Sequence, residues 1–292
     1  MSWSGIWPVA PTPFHNDGSL DLEGMGRVLD CLIDQGADGI CILANFSEQF
    51  LLADAEREIL TRHCLEHVAG RVPMIVTISH FATQIAVERA RFARDLGADI
   101  VMMMPPYHGA LLKGTQAQTF EQFRAVGEVG IPIMVQDAPL SGVDLPVPLL
   151  VRIAQEIEMV KLFKIECAQA ANKLRALIAE GGAAIEAPFD GEEGITLLAD
   201  LDAGATGSMT SGMIVDQIKP VITRHRAGDI AGATEAYARV AMVINHENRQ
   251  CGWRSTKAAM VEGGVIRSEF CRHPIEPLHP AIRNRLLDLL KP

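Results

Sequence analysis

Residues 159–166 read MVKLFKIE and show the clearest strand pattern in the chain. Because successive side chains of a strand point to opposite faces, Leu162, Lys164 and Glu166 share one face. The other face carries Lys161, Phe163 and Ile165. A lysine and a glutamate on a buried face are tolerated only if they pair with each other or carry out chemistry. The segment by itself leaves a salt bridge and a catalytic pair equally open.

Seven further β-type runs alternate with longer amphipathic stretches along the chain. The eight predicted strands cover residues 6–10, 39–43, 73–78, 99–104, 131–136, 159–166, 183–187 and 205–209. In segment 22–36, apolar side chains recur at three- and four-residue steps, which is typical of a helix, and Gly36 ends it. The tripeptide Gly-Ala-Asp, at 36–38 and again at 97–99, marks two helix-to-strand returns of the same kind. Eight repeated units predict an α/β fold, a (β/α)8 TIM barrel.

The chain after residue 210 shows no strand pattern. Helical periods cover residues 214–226, 230–247, 253–262 and 279–290. Only the first of these helices is needed to finish a barrel, and no linker rich in Gly, Ser or Pro precedes the others. We therefore expect a single domain over residues 1–292, in which a barrel of residues 1–227 carries a C-terminal helical extension of residues 228–292.

Composition narrows the class of partner. The net charge of −10 argues against nucleic acid and against an anionic membrane surface. With 48% hydrophobic and 21% charged residues, the chain is typical of a globular protein. No basic leader and no apolar run of about 18 residues occurs, so a cytoplasmic location is expected. Since no G-x-G-x-x-G, Walker or C-x-x-C motif occurs either, we expect a small-molecule ligand, no cofactor and no metal.

Lys164 is the first candidate for chemistry. Catalytic groups of such barrels lie at the carboxyl ends of the strands, and Lys164 is predicted near the end of the sixth. Loss of hydration favours the neutral form of an amine, which is the nucleophile that a Schiff base requires.

Four segments carry a resemblance to the dihydrodipicolinate synthase and N-acetylneuraminate lyase superfamily. Residues 5–14 (GIWPVAPTPF) resemble its first strand, which usually ends in T-P-F. Asn45-Phe-Ser-Glu48 falls where the family has G-T-T-G-E, and Met104-Pro-Pro-Tyr107 where it has T-P-Y-Y. The segment F-K-I-E (163–166) resembles the strand with the Schiff-base lysine. The motifs occur in order, and the resemblance, which extends from residue 5 to about residue 290, implies a barrel in which Lys164 binds a small 2-oxo acid.

Two departures from the family's pattern indicate a different substrate. Strand five ends in M-V-Q-D-A-P (134–139) where relatives usually show L-Y-N-V-P, so Gln136 replaces the family's catalytic tyrosine. In the family that phenol relays a proton to and from the substrate, and an amide cannot do the same. The loop that holds the substrate carboxylate in relatives is also changed. Asn45 and Ser47 could still donate hydrogen bonds to it, while Phe46 narrows the space.

Glu166 offers a replacement for the lost proton relay. Its Cβ should lie roughly 6 to 7 Å from that of Lys164, given the rise along a strand. An iminium on the lysine makes the C3 protons of the substrate acidic, and a carboxylate at that distance can take one. Removing a C3 proton and expelling a C4 hydroxyl is dehydration, whereas aldol cleavage requires a base on the C4 hydroxyl.

Segment 244–250 (INHENRQ) completes a more specific resemblance. With M-V-Q-D-A-P and F-K-I-E, it resembles the superfamily's dehydratases of L-2-keto-3-deoxyarabonate, which make 2-oxoglutarate semialdehyde in bacterial L-arabinose degradation. The resemblance thus implies a lyase with Lys164 as nucleophile and Glu166 as base. An aldolase or lyase acting on pyruvate-derived substrates, and a catalytically silent barrel that binds a 2-oxo acid, stay open as alternatives.

Further substrate-binding candidates lie at other predicted strand ends. His80 follows strand three, where a helix-capping loop is the alternative. Gly207 lies in a segment that resembles the family's eighth strand, where glycines let the backbone approach the substrate, or it belongs to an ordinary turn. Tyr107 matches a tyrosine that in relatives reaches into a neighbouring subunit's site. Because relatives are commonly tetramers, the resemblance implies a homotetramer.

Two acidic residues and a polar tail receive plainer interpretations. Asp190 and Glu192 are expected in the first turn of a helix, where acidic side chains suit the helix dipole. Segment 245–250, with Arg254 and Lys257, fits subunit contacts or surface solvation as well as catalysis.

Overall fold

The computed structural model describes residues 3–138 and 141–291. Strands β1 to β10 cover, in order, Gly5–Ile6, Ile40–Ile42, Met74–Thr77, Ile100–Met103, Tyr107–His108, Leu112–Lys113, Ile133–Asp137, Val160–Ile165, Ala187–Asp190 and Gly207–Ser208. Helices α1 to α11 cover Leu22–Asp34, Asp54–Val68, Thr83–Asp95, Gln116–Gly127, Val147–Glu156, Ala170–Gly181, Leu197–Asp202, Val215–Arg226, Ile230–His246, Arg254–Glu262 and Pro280–Leu289. Apart from β5 and β6, the strands belong to one eight-stranded sheet. The predicted (β/α)8 barrel with C-terminal helices is confirmed.

The described chain divides into two compact units. One contains Met1–Gly5 and Pro73–Met209, and the other contains Ile6–Val72 and Thr210–Pro292. The single domain over residues 1–292, with a boundary between 227 and 228, stays a prediction.

The first unit holds six parallel strands in the order β10, β9, β8, β7, β4, β3. These strands are rich in Ile, Val, Met and Phe and are almost entirely buried, as expected for a parallel sheet covered by helices. The pairing aligns Gln136 of β7 with Lys164 of β8, and Lys164 with Phe189 of β9. Side chains at one register level of a parallel sheet point the same way, so these three share a face.

The second unit contains the segments around β2 and the C-terminal helices. Val9 forms parallel bridges with both Cys41 and Ser211. Four predicted helices after residue 210 are confirmed as α8, α9, α10 and α11. The chain continues from α9 into a π-helix at Glu247–Cys251.

The two Gly-Ala-Asp tripeptides perform the same local task. Gly36 and Gly97 have φ of +87° and +89°, in the left-handed region that favours glycine, and each follows a helix end. The aspartate two residues later then accepts a backbone N–H at the start of a neighbouring strand. Asp38 accepts from Ile6 at 2.9 Å and Asp99 accepts from Met74 at 2.8 Å. The prediction that both tripeptides form the same helix-to-strand connection is confirmed.

The prediction for the seventh strand was wrong by several residues. Segment 183–187 was assigned to it, but Gly182–Ala184 form a 3-10 turn and β9 begins at Ala187. Gly182 has φ of +54°, so the chain turns there before it reaches the sheet. The first and eighth strands are also shorter than predicted, and the β5–β6 hairpin was not foreseen.

Within residues 3–138 and 141–291, the helices are too short or too polar for any of them to span a lipid bilayer.

Candidate active site

Strand β8 presents two lysines in opposite environments. Lys164 is 3% exposed and lies on the face that it shares with Gln136. Lys161 lies on the other face, where its Nζ is 2.6 Å from Oε1 of Glu186 in a half-exposed pair. The alternation read from the sequence therefore separates a buried amine from a solvated one.

Lys164, Glu166 and Gln136 form a hydrogen-bonded cluster. Nζ of Lys164 contacts Oε1 of Glu166 directly, and Nε2 of Gln136 donates to the same oxygen at 2.8 Å. The backbone N–H of Glu166 donates to the carbonyl of Asp137 at 3.0 Å, which fixes the carboxylate just beyond the end of β8. Gln136 thus holds the carboxylate, while its own Oε1 is buried without a hydrogen-bond partner in the described chain. Pro139, the last residue of the M-V-Q-D-A-P motif, lies outside the described residues.

Gly191 completes the surroundings of this cluster and was missed by the sequence analysis. A Cβ at this position would lie 2.8 Å from Cγ of both Lys164 and Glu166 and 2.9 Å from the carbonyl oxygen of Ile165. Its backbone N–H donates to that same carbonyl at 3.1 Å. A side chain there would occupy the space beside the lysine. A correctly placed seventh strand would have identified Gly191 as a strand-end residue.

Asp190 does not lie in the first turn of a helix, which corrects the sequence interpretation. It is the last residue of β9, is fully buried, and its Oδ2 accepts from Oγ of Ser208 at 2.5 Å. Burial and, next, the charge of Asp200 raise the pKa of Asp190 to about 8. Glu192 also precedes the helix, because α7 begins only at Leu197. The misplaced strand is the reason for both errors.

The other candidates of the first unit lie in three settings. His80 is exposed, and its Nδ1 accepts from the backbone N–H of Ala82 at 3.0 Å, as in a helix-capping loop. Tyr107 opens the β5–β6 hairpin with its hydroxyl buried and without a hydrogen-bond partner in the described chain, and burial raises its pKa to about 12. A Cβ on Gly207 would overlap the carbonyl oxygen of Gly5, so close strand packing already requires this glycine.

Asn45 and Ser47 lie together in the second unit, in a 3-10 helix that follows β2. Oγ of Ser47 donates to the carbonyl of Ala10 at 2.7 Å, and the carbonyl of Ser47 accepts from Oγ1 of Thr12 at 2.7 Å. Oδ1 of Asn45 accepts from Nε2 of Gln49 at 2.7 Å. The loop is therefore rigidly held, and the Ser47 hydroxyl would have to release Ala10 before it could donate to a ligand.

Glu48 and Lys257 form an ion pair with both side chains fully buried. Nζ of Lys257 also donates to the carbonyl of Phe270 at 2.9 Å and lies 4.5 Å from the centre of the Phe14 ring. Surface solvation of Lys257 is thereby excluded. This pair ties the loop after β2 to α10, and sequence reasoning missed it because the two residues are distant in the chain.

Glu247 is a second buried acid of the same unit. Its Oε1 accepts from Oγ of Ser255 at 2.6 Å, and Ser211 also donates to the carboxyl group. Burial raises the pKa of Glu247 to about 7. Glu247, the third residue of the polar segment 245–250, thus lies in the π-helix with its side chain directed into the protein.

Comparisons with known proteins assign the chain to a family. A model of the dihydrodipicolinate synthetase family matches residues 2–292. The chain belongs to this family. The L-2-keto-3-deoxyarabonate dehydratase of Azospirillum brasilense is 56% identical to this family member over 98% of this chain and 93% of that protein. The 4-hydroxy-tetrahydrodipicolinate synthase 2 of Streptomyces coelicolor is 30% identical over 92% of this chain and 88% of that protein.

The backbone of this family member is also similar to those of solved structures. The dihydrodipicolinate synthase of Rhodopseudomonas palustris superposes with a TM-score of 0.90 at 26% identity and covers 99% of this chain and 97% of its own. That of Aquifex aeolicus gives a TM-score of 0.92 at 23% identity with the same coverage and supports the fold alone.

Proposed function

We propose that this protein is a hydro-lyase that dehydrates L-2-keto-3-deoxyarabonate to 2-oxoglutarate semialdehyde through a Schiff base on Lys164. The observation that carries the proposal is the cluster in which Glu166 contacts Lys164 and is held by Gln136, the residue in the place of the family's tyrosine. The 56% identity to a dehydratase of that substrate supports it independently. The function belongs with the degradation of L-arabinose.

The cluster supplies the groups that the first steps need. The neutral amine of Lys164 attacks the C2 carbonyl and, with loss of water, forms an iminium. Glu166 then removes a proton from C3, and the electron pair of that C–H bond forms the enamine. The C4 hydroxyl leaves as water when the enamine collapses, and it takes a proton from the protonated Glu166.

The remaining steps release the product without any redox change. A proton moves from C5 to C3, which turns the unsaturated intermediate into the enol of an aldehyde. The enol becomes the aldehyde when C4 takes up a proton. Hydrolysis of the iminium consumes the water that was released when the iminium formed, so the net reaction is the loss of one water, which comes from the C4 hydroxyl. The exposed His80, and Asn45, Ser47 and Gly207, remain proposals for substrate binding. Gln136 is a further proposal, through its Oε1, which has no hydrogen-bond partner among the described residues.

Assembly as a homotetramer and a cytoplasmic location are further parts of the proposal. Tyr107 belongs to a hairpin whose tip carries Leu111, 87% exposed, and Leu112, 42% exposed. An apolar tip, beside a buried hydroxyl that has no hydrogen-bond partner within residues 3–138 and 141–291, suits contact with a second subunit. Light scattering at micromolar concentration should give an oligomer, and a monomer would contradict the assembly.

Borohydride trapping tests the chemistry. Reduction in the presence of pyruvate should add a stable mass that maps to Lys164, and Lys161 on the same strand provides the internal control. Purified protein should then form semialdehyde from L-2-keto-3-deoxyarabonate. Labelling at Lys161, or none, would refute the Schiff base, and trapping with pyruvate release instead of semialdehyde would favour an aldolase. Trapping without turnover of any 2-keto-3-deoxy sugar acid would favour a silent binding protein.

A further inference from the structure

Asp137 and Lys173 form an ion pair on the helix-facing side of the sheet. Nζ of Lys173 lies 2.6 Å from Oδ2 of Asp137, and the two side chains are 16% and 6% exposed. Asp137 is the last residue of β7, and Lys173 lies near the start of α6, the helix that follows β8. Because side chains alternate along a strand, the carboxylate of Asp137 points away from the face that Gln136 shares with Lys164. The pair therefore lies on the other side of the sheet from the amine.

The end of β7 holds Glu166 at two points. The backbone carbonyl of Asp137 accepts from the N–H of Glu166 at 3.0 Å. The neighbouring Gln136 donates from its Nε2 to Oε1 of Glu166 at 2.8 Å. The last pair of the ladder joins Asp137 to Ile165, so Glu166 lies one residue beyond the regular pairing. Both attachments of Glu166 to β7 therefore depend on the position of the last two residues of that strand.

The ion pair closes a ring of contacts around Glu166. Residues 166–169 connect β8 to α6, and the side chain of Lys173 reaches back from this helix to β7. From Asp137 the ring returns to Glu166 through the hydrogen bond of its carbonyl. The connection that carries Glu166 is thus tied to β7 at both of its ends. A short connection fixed in this way has few conformations available to it.

The pair acts through charge. Oδ2 of Asp137 is buried and accepts no hydrogen bond of regular geometry within the described residues, although Nζ of Lys173 lies 2.6 Å from it. Burial raises the pKa of Asp137, and Lys173 opposes that rise. Of the charged groups that act on this carboxyl, Asp144 and Glu166 disfavour the ionised form, whereas Lys173 favours it. Removing the ammonium therefore leaves a buried carboxylate without the cation beside it.

We propose that Asp137 and Lys173 are positioning residues, whose ion pair holds the end of β7 so that Glu166 stays aligned to remove the C3 proton. The inference rests on the proposed function for its activity readout. Without the pair, the end of β7 and the connection 166–169 shift relative to each other, and both hydrogen bonds from β7 to Glu166 weaken. Proton removal then falls, because misplacing a reacting group by about 1 Å costs roughly 10²-fold in rate.

Lys164 should be affected far less than Glu166. It lies inside β8, where the register of the sheet places Gln136 on one side of it and Phe189 on the other. Strand pairing on both sides holds its backbone, whereas Glu166 lies beyond the end of the strand. Loss of the ion pair should therefore separate two steps, since imine formation needs the amine and proton removal needs the carboxylate.

Lys173→Met tests the pair, because methionine is also long and unbranched but carries no charge. Borohydride trapping with pyruvate should label Lys164 within about twofold of the wild type, while exchange of the C3 protons of pyruvate in heavy water falls roughly 10- to 100-fold. Lys173→Arg keeps the positive charge and should recover exchange to within about threefold. Lys161→Met, which breaks the half-exposed pair with Glu186 on β8, is the matched control and should change neither assay.

Three outcomes would overturn the proposal. The first is exchange within about threefold of the wild type in folded Lys173→Met. The second is a parallel decrease of trapping and exchange, which loss of folded protein alone produces. The third is Lys173→Arg with exchange as low as in Lys173→Met. A wild-type protein that borohydride does not trap refutes the Schiff base of the proposed function instead.

Hydrogen–deuterium exchange of the backbone decides on the pair without any turnover. The N–H of Glu166 is bonded to the carbonyl of Asp137 in the wild type. In Lys173→Met this N–H should exchange at least about tenfold faster, while the N–H groups in the middle of β8 keep their rates. Equal protection of the Glu166 N–H in the two proteins refutes the positioning, whether or not borohydride traps Lys164.

A double variant keeps the test decisive if Lys173→Met does not fold. Asp137→Asn combined with Lys173→Met removes both charges, so neither is left buried alone. This variant should show the same faster exchange of the Glu166 N–H and the same loss of C3 proton exchange. Wild-type values in both measurements would contradict the proposal.

Discussion

Replacing Glu166 with glutamine should abolish proton transfer while leaving imine formation intact. The substitution preserves the size of the side chain, and an amide oxygen can still accept from Nε2 of Gln136, whose bond to Glu166 is 2.8 Å. What disappears is the basicity of the group that contacts Lys164.

The magnitude follows from the role of the base. Positioned general bases contribute roughly 10²- to 10⁴-fold in rate, or about 3 to 5 kcal/mol of barrier. Stability should change as well, because Lys164 is 3% exposed and loses its counter-ion. Breaking a buried pair in this way costs about 3 to 5 kcal/mol, part of which the retained hydrogen bonds offset.

Two assays separate catalysis from stability. Borohydride trapping with pyruvate reports the imine, and exchange of the C3 protons in heavy water reports proton removal. Glu166→Gln should trap at Lys164 as the wild type does while exchange falls by at least about 10²-fold. Glu186→Gln is the matched control, because it removes the carboxylate that pairs with Lys161 on the other face of the same strand. It should change neither assay.

Exchange near the wild-type rate in folded Glu166→Gln would show that another group takes the proton. The pair would then be a salt bridge, and the substitution would alter chiefly the melting temperature. That result would remove the base from the mechanism and leave the Schiff base untouched.

Three further predictions concern residues around the site. Gly191→Ala should lower trapping at least about tenfold with an unchanged circular dichroism spectrum, because its Cβ would lie 2.8 Å from Cγ of Lys164; normal trapping would contradict the packing. Lys257→Met should cost about 3 to 5 kcal/mol in urea unfolding, and adding Glu48→Gln should recover part of that loss; additive losses would argue against the pair. Glu247 has a pKa of about 7 in the folded protein against an ordinary 4.5. As the pH rises, the carboxyl therefore ionises first in the unfolded state, and the free energy of unfolding should fall by about 3 kcal/mol between pH 4.5 and 7. Glu247→Gln should remove that pH dependence, and an unchanged dependence would refute its assignment to Glu247.

The alternation along β8 was sufficient to predict the central side chains of the candidate site. Side-chain direction repeats every two residues along a strand, so Lys164 and Glu166 lie on the same face regardless of how the neighbouring strands pair. In the structure the two side chains are in contact. The same reasoning could not predict the hydrogen bond from Gln136, because register between strands depends on tertiary packing.

The seventh strand shows where local patterns fail. Segment 183–187 was read as a strand, but the turn at Gly182 takes part of it, and Asp190 and Glu192 were therefore read as first-turn helix residues. The ion pair of Glu48 and Lys257 could not be predicted from sequence patterns at all. The residues next to Glu48 in the chain give no indication that Lys257 is its partner, and the same is true of those next to Lys257.

That ion pair changes how the C-terminal helices should be treated in protein engineering. A chimera that joins this barrel to the tail of another family member would leave Glu48, whose side chain is fully buried, facing a foreign side chain. The tail cannot be exchanged as a module, and neither can the loop after β2. Library designs that shuffle this loop should therefore keep residues 48 and 257 together, or replace both with apolar side chains of matching volume.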